Sequence, residues 1–229
     1  MIACFGDSIT AGHPGFSYLR YMQTKRYQNF GLGGDTLLGL SNRINSFIRE
    51  TSCREYIIEI GANDILIPFL SSYSKTWNIT VRRIIARGSI PISNIIVFKS
   101  EYEKLIYMLS DKKVRVISIP CLGENIKSDL NLKADEYNQV IKILCSKYDI
   151  TYIDFNRWQK NIIDSRISEF SYFISKNYYK ILTDTMITTY MGFSECISKK
   201  RKLAVTIDGV HLNMTGAKGL AGLIEEDCK

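Results

Sequence analysis

The chain is most informative in what it lacks. No run of about 18 apolar residues occurs, which excludes an ordinary transmembrane helix. Met1-Ile2-Ala3-Cys4-Phe5 enters a Gly-Asp-Ser turn with no basic stretch leading into a long apolar one, so no secretory signal is read. A cytoplasmic location and no stable membrane insertion are therefore expected. The six cysteines (Cys4, Cys53, Cys121, Cys145, Cys196 and Cys228) form no C-x-x-C, which argues against a zinc site or a redox dithiol. We read them as reduced, several of them as small hydrophobes in apolar runs. No internal repeat or low-complexity stretch divides the chain, so one continuous domain over residues 1–229 is expected. Histidine is scarce, with only His13 and His211.

What is present suits a globular α/β domain, with 45% hydrophobic and 23% charged residues. A chain of this size buries about 70% of its unfolded surface and needs no disulfide or metal staple. The formal charge is +7, from 30 Lys and Arg against 23 Asp and Glu. The basic residues are scattered except for Lys199-Lys200-Arg201-Lys202, and no nucleic-acid motif accompanies them. The excess is read as general solubility, with no nucleic-acid partner. The dense run is read as a solvated loop in preference to an anionic head-group contact.

Short β-branched and aromatic runs at 2–5, 27–30, 56–60, 114–119 and 151–155 are apolar on nearly every position, as buried parallel strands are. Helical spacing separates them. Leu37, Leu40, Ile44, Phe47 and Ile48 follow Thr36, and Tyr137, Val140, Ile141 and Leu144 precede the last strand. Thr215 is the expected N-cap of a final helix carrying Ala217, Leu220, Ala221 and Ile224. This alternation predicts an α/β, flavodoxin-like three-layer sandwich, with a five-stranded parallel sheet in the order 2-1-3-4-5. Residues 156–202 are expected to form a helical insert, rich in aromatics (Trp158, Phe170, Tyr172, Phe173, Tyr178, Tyr179, Tyr190 and Phe193). They form either an extra packed helical pair or a cap over a substrate pocket, and the two are compatible.

Four short segments carry chemistry, and each alone has an ordinary structural explanation. Gly6-Asp7-Ser8-Ile9-Thr10 follows the first strand and exposes a hydroxyl at a strand-to-helix turn. Gly33-Gly34-Asp35-Thr36 follows the second, where glycine lets a backbone N–H face a substrate. Gly61-Ala62-Asn63-Asp64 follows the third, with a side-chain amide able to stabilise negative charge or to start a helix. Asp208-Gly209-Val210-His211 spaces a carboxylate three residues from an imidazole, so the acid reaches Nδ1–H and leaves Nε2 free. His13 sits in a Gly- and Pro-containing turn without an acidic partner and is read as a loop residue bordering the pocket.

These segments resemble the four blocks of the SGNH hydrolase (GDSL-type esterase/lipase) family, and the resemblance spans nearly the whole chain. Ile9 stands where the family usually has Leu. Residues 119–124, Ile-Pro-Cys-Leu-Gly-Glu, are similar to a strand-end loop of lysophospholipase-like members. The resemblance implies Ser8 as nucleophile, His211 as base and Asp208 as its orienting acid. It implies an oxyanion hole of the Ser8 N–H, the Gly34 N–H and the Asn63 amide, and no metal or organic cofactor. The partner expected is a small-molecule or lipid ester: an esterase, lysophospholipase or carbohydrate acetylesterase substrate. Acyl transfer and the oligomeric state stay open. The alternative is a flavodoxin-like phosphate- or nucleotide-binding module whose turn at residues 6–15 cradles a phosphate.

Overall fold

All five expected runs are strands in the computed structural model, which describes residues 1–23, 26–164 and 172–227. They are β1 (Ile2–Gly6), β2 (Tyr27–Gly31), β3 (Glu55–Glu59), β4 (Lys113–Ile117) and β5 (Thr151–Ile153). They pair in parallel in the order β2-β1-β3-β4-β5. Every strand thus ends at the same edge of the sheet, which is where an open α/β sheet builds its site.

The boundaries differ from the expected ones for local reasons. β4 stops at Ile117, and beyond it two side-chain amides take the place of strand partners: Asn138 accepts from the Ile119 N–H at 2.7 Å and donates to its carbonyl at 2.9 Å, to which Asn156 also donates at 3.1 Å. β5 stops at Ile153, since Asp154 accepts from the Arg157 N–H and starts a helix at Phe155. β2 departs from the all-apolar pattern because it is an edge strand, with Gln28 and Asn29 exposed.

The helices are α1 (Ser8–Ala11), α2 (Leu37–Glu50), α3 (Ala62–Tyr73), α4 (Lys75–Ala86), α5 (Ile95–Met108) and α6 (Asp129–Lys147). They continue as α7 (Phe155–Asp164), α8 (Tyr179–Thr185), α9 (Ser194–Lys200) and α10 (Met214–Asp227). A π-helical turn, Met186–Tyr190, extends α8. Thr36 caps α2, whose Leu37, Leu40 and Ile44 are fully buried, a gain of about 1.5–3 kcal/mol each. The cap of α10 is Asn213 instead of the expected Thr215: its side chain accepts from the Gly216 N–H at 2.9 Å, and Thr215 lies one residue inside the helix. The expected face of α10 (Ala217, Leu220, Ala221 and Ile224) is buried. Among the described residues, no helix is long and apolar enough to cross a membrane.

Candidate functional site

The turn after β1 leaves no choice of residue at its start. A Cβ on Gly6 would lie 2.1 Å from Thr10 Oγ1 and 2.7 Å from the Glu59 carbonyl oxygen. Asp7 then caps α1, accepting from the Ile9 N–H at 2.9 Å, so that Ser8 opens the helix half-buried. Its Oγ lies 3.1 Å from His211 Nε2, although 203 positions separate the two residues. His211 Nδ1 lies 2.7 Å from Asp208 Oδ2, while Asp208 Oδ1 accepts from the backbone N–H groups of Val210 and His211. One carboxylate therefore fixes both the loop and the ring it carries.

Burial by itself would raise the pKa of Asp208, but the charge of His211 and the hydrogen bonds from its ring and from two backbone N–H groups outweigh it and lower the value. Burial would lower that of His211, and the charge and hydrogen bond of Asp208, with smaller contributions from Asp7 and Asp184, raise it instead. An imidazole so placed takes a hydroxyl proton and keeps the resulting charge balanced.

Two further side chains hold this loop, and one corrects the reading of residues 199–202 as a solvated loop: Lys199 and Lys200 end α9, and the Arg201 side chain is 10% exposed and paired with Asp184. Glu124, buried beyond β4, accepts from the backbone N–H groups of Ala204, Val205 and Thr206 and from the Thr206 hydroxyl, at 2.6 to 3.0 Å. Arg201 donates to the Ile207 carbonyl at 2.6 Å and forms a bidentate ion pair with Asp184. The lysophospholipase-like stretch at 119–124 was the one sequence signal near Glu124, and nothing local tied it to residues 204–206.

The N–H groups of Ser8 and Gly34 donate to no other described protein group. A Cβ on Gly33 would stand 4.0 Å from the Ser8 Cβ, so Gly33 also borders the serine; Gly34, at φ +80°, turns that direction toward Ile84. Asn63 Nδ2 donates to the Asp35 carbonyl at 2.9 Å and to Asp7 Oδ2 at 3.1 Å. Arg43 ties these turns together by donating to the Asp35 carboxylate and to the carbonyls of Phe30 and Gly6. Asp64 accepts from the N–H groups of Leu37 and Ile92 and is a structural brace. Burial pushes its pKa up to about 7.

Asp7 follows Gly6, which pairs with Glu59 across β1 and β3, so a second buried carboxyl stands near it. Thr10 Oγ1 donates to Glu59 Oε2. Burial first, then the charge of Glu59, holds the pKa of Asp7 well above the carboxylate range.

His13 is exposed and stacks on Tyr190 with ring centroids 6.1 Å apart, lining a cavity of about 400 Å³ with Ser17, Arg20 and Asn29. The described part of 156–202 comprises α7, α8 with its π turn, and α9. Its aromatics divide by environment. Trp158 stacks on Phe155, Tyr178 packs on Trp77, and Phe173 reaches Phe69 and Tyr73 while lying against Gly123 and Gly209. Tyr179, Tyr190 and Phe193 are exposed, and Phe170 lies outside the described residues. Five cysteines are free thiols, and Cys228 lies outside the described residues. The Ile9 N–H is already bound to the Asp7 carboxyl at the start of the four-residue α1, so it is not free for the phosphate of the alternative.

A model of the GDSL-like Lipase/Acylhydrolase family matches residues 4–176, a stretch that ends before Asp208 and His211. No curated protein matches in sequence. Among solved structures, the chain is similar to an acetylxylan esterase from Geobacillus stearothermophilus, with TM-score 0.66 and 14% identity over 99% of this chain and 92% of that one. It is also similar to a lipase/acylhydrolase from Enterococcus faecalis, with TM-score 0.59 and 18% identity over 99% and 93% of the two chains. At these identities the likeness is one of fold.

Proposed function

The chain belongs to the GDSL-like lipase/acylhydrolase family, and from that premise we propose that it is a serine esterase acting on carboxylic esters through Ser8, His211 and Asp208. The observation that carries the reading is the continuous contact from Asp208 Oδ2 through His211 to Ser8 Oγ, at 2.7 and 3.1 Å. His211 Nε2 takes the Ser8 proton as Oγ attacks the ester carbonyl. The imidazolium, balanced by Asp208, then protonates the departing alkoxide and leaves an acyl-serine. Water, deprotonated by the same imidazole, releases the acid and restores Ser8.

The oxyanion forming at each step is met by the free N–H groups of Ser8 and Gly34 and by the amide of Asn63. Asn63 already donates both amide hydrogens, so the oxyanion takes over the one now held by Asp7 Oδ2, while the bond to the Asp35 carbonyl keeps the amide aimed. No residue in this scheme calls for a metal or organic cofactor.

The test is hydrolysis of p-nitrophenyl acetate and butyrate by wild type and Ser8→Ala. Ser8→Ala is expected to lose activity by about 10³-fold or more and to resist fluorophosphonate labelling; equal rates or persistent labelling overturn the assignment. We also propose that residues 156–202 act as a cap that selects the acyl group. Phe173, between that segment and the Gly209 turn, makes this testable. Phe173→Ala is expected to change preference across acyl lengths more than it changes acetate hydrolysis.

A further inference from the structure

The helix formed by α8 and its π turn sets four large side chains outward. Its inward side buries polar groups beside Ile181, which packs against the core. Asp184 is buried in the ion pair with Arg201, and Thr188 is buried, accepting from the Gly15 N–H. Thr189 donates to the Gly15 carbonyl at 3.0 Å. The helix is thereby fastened to the loop that follows Ser8 and α1.

Its outward side is apolar. Tyr179, Leu182, Met186 and Tyr190 recur at spacings of three and four, which stack on one helical face. They are 57%, 55%, 58% and 70% exposed, and Met191 and Phe193 beside them are 60% and 48% exposed. An amphipathic helix on a globular protein ordinarily turns such a stripe inward. A contiguous outward patch marks a contact surface.

The flank of this face identifies the contact. Lys180, Lys200 and Lys202 line a cleft of about 610 Å³ along the side of the same helix, together with Arg201. The one carboxylate among the lining residues, Asp184, is already paired with Arg201. The Lys199 to Lys202 run thus stands beside the apolar stripe. Aliphatic and tyrosyl side chains bordered by lysines match the boundary between lipid acyl chains and anionic headgroups. A second copy of the chain fits less well, because self-pairing would set one lysine-lined flank against another.

We propose that the outward face of α8 and its π-helical extension docks on an anionic phospholipid surface, with Leu182, Met186 and Tyr190 at the acyl boundary and Lys180, Lys200 and Lys202 against the phosphates. The interaction is peripheral and independent of the esterase assignment. It would hold the loop after α1 next to the lipid.

The experiment is co-sedimentation of the full chain with phosphatidylcholine vesicles, with and without phosphatidylglycerol. Binding is expected only with phosphatidylglycerol present, and it should weaken as salt rises. A Leu182→Ser/Met186→Ser/Tyr190→Ser variant and a Lys180→Gln/Lys200→Gln/Lys202→Gln variant should each bind about tenfold more weakly or worse. Circular dichroism and melting of both variants establish that they fold, and a second, milder variant, Met186→Ser alone, covers the case in which the triple substitution does not. No binding to phosphatidylglycerol vesicles overturns the proposal, as does binding untouched by the apolar substitutions. A dimer in light scattering that the serine substitutions dissociate, without vesicle binding, also overturns it by assigning the face to a second copy.

Discussion

On one side of Ser8 a buried carboxyl faces an imidazole; on the other a buried carboxyl faces another carboxyl. Asp208 and Asp7 are 2% and 1% exposed, and each caps a short segment of backbone N–H groups. Burial is therefore common to both, yet their pKa values move in opposite directions. The partner decides the outcome. His211 offers Asp208 a positive charge, so both stay ready to exchange charge with the serine. Glu59 offers Asp7 no positive charge to offset burial, and its own carboxyl adds to the upward shift. In the proposed mechanism, the Asp208–His211 pair stands on the side where the serine proton moves.

The sharpest way to break this contrast is Asp208→Asn, which keeps the shape but removes the charge opposite His211. Turnover of p-nitrophenyl acetate is expected to fall about 10⁴-fold. Next comes Asn63→Ala on the other side, which should lower kcat by about 10²- to 10³-fold with a smaller change in KM. For the wild type, kcat/KM should rise with pH through an apparent pKa above the ordinary histidine value of about 6.5, since the base acts when neutral and Asp208 favours its protonated form.

A smaller effect is expected from Glu124→Gln. Its amide would turn N–H groups toward the backbone donors of residues 204–206, costing about 1–3 kcal/mol in urea denaturation. The subtlest is Glu59→Gln. Burial raises Glu59 from 4.5 to about 7, so the folded protein holds its proton more tightly than the unfolded chain does. That contribution is present in full below about pH 4.5 and is lost as pH rises toward 7. Melting temperatures of Glu59→Gln across this window should fall less with pH than those of the wild type, with acetate hydrolysis changed less than tenfold.

The strand order was legible because four largely apolar runs and one mixed run, Tyr27–Gly31, separated by helical spacing, admit few other arrangements. The positions of Ser8, Gly34, Asn63 and the Asp208–His211 pair were legible for a related reason: each is adjacent to the end of a strand or to the last helix. What escaped acts at a distance. Glu124 reaches residues 80 positions away, and Arg43 joins three turns through a side chain that on sequence is one more helical cation. Glu59 reads as the end of a strand, and its neighbour Asp7 becomes evident only when β1 and β3 pair. The cap of α10 was misplaced by two residues because Asn213 and Thr215 offer the same local chemistry, and burial around Asn213 decides between them.

The 203 positions between Ser8 and His211 also set a schedule. The serine turn is synthesised well before its histidine, so their contact must wait until the sequence through His211 has left the ribosome. A product interrupted anywhere before His211 carries an exposed serine turn and no base beside it. Measured in a translation reaction, the contact would therefore report that synthesis has passed His211.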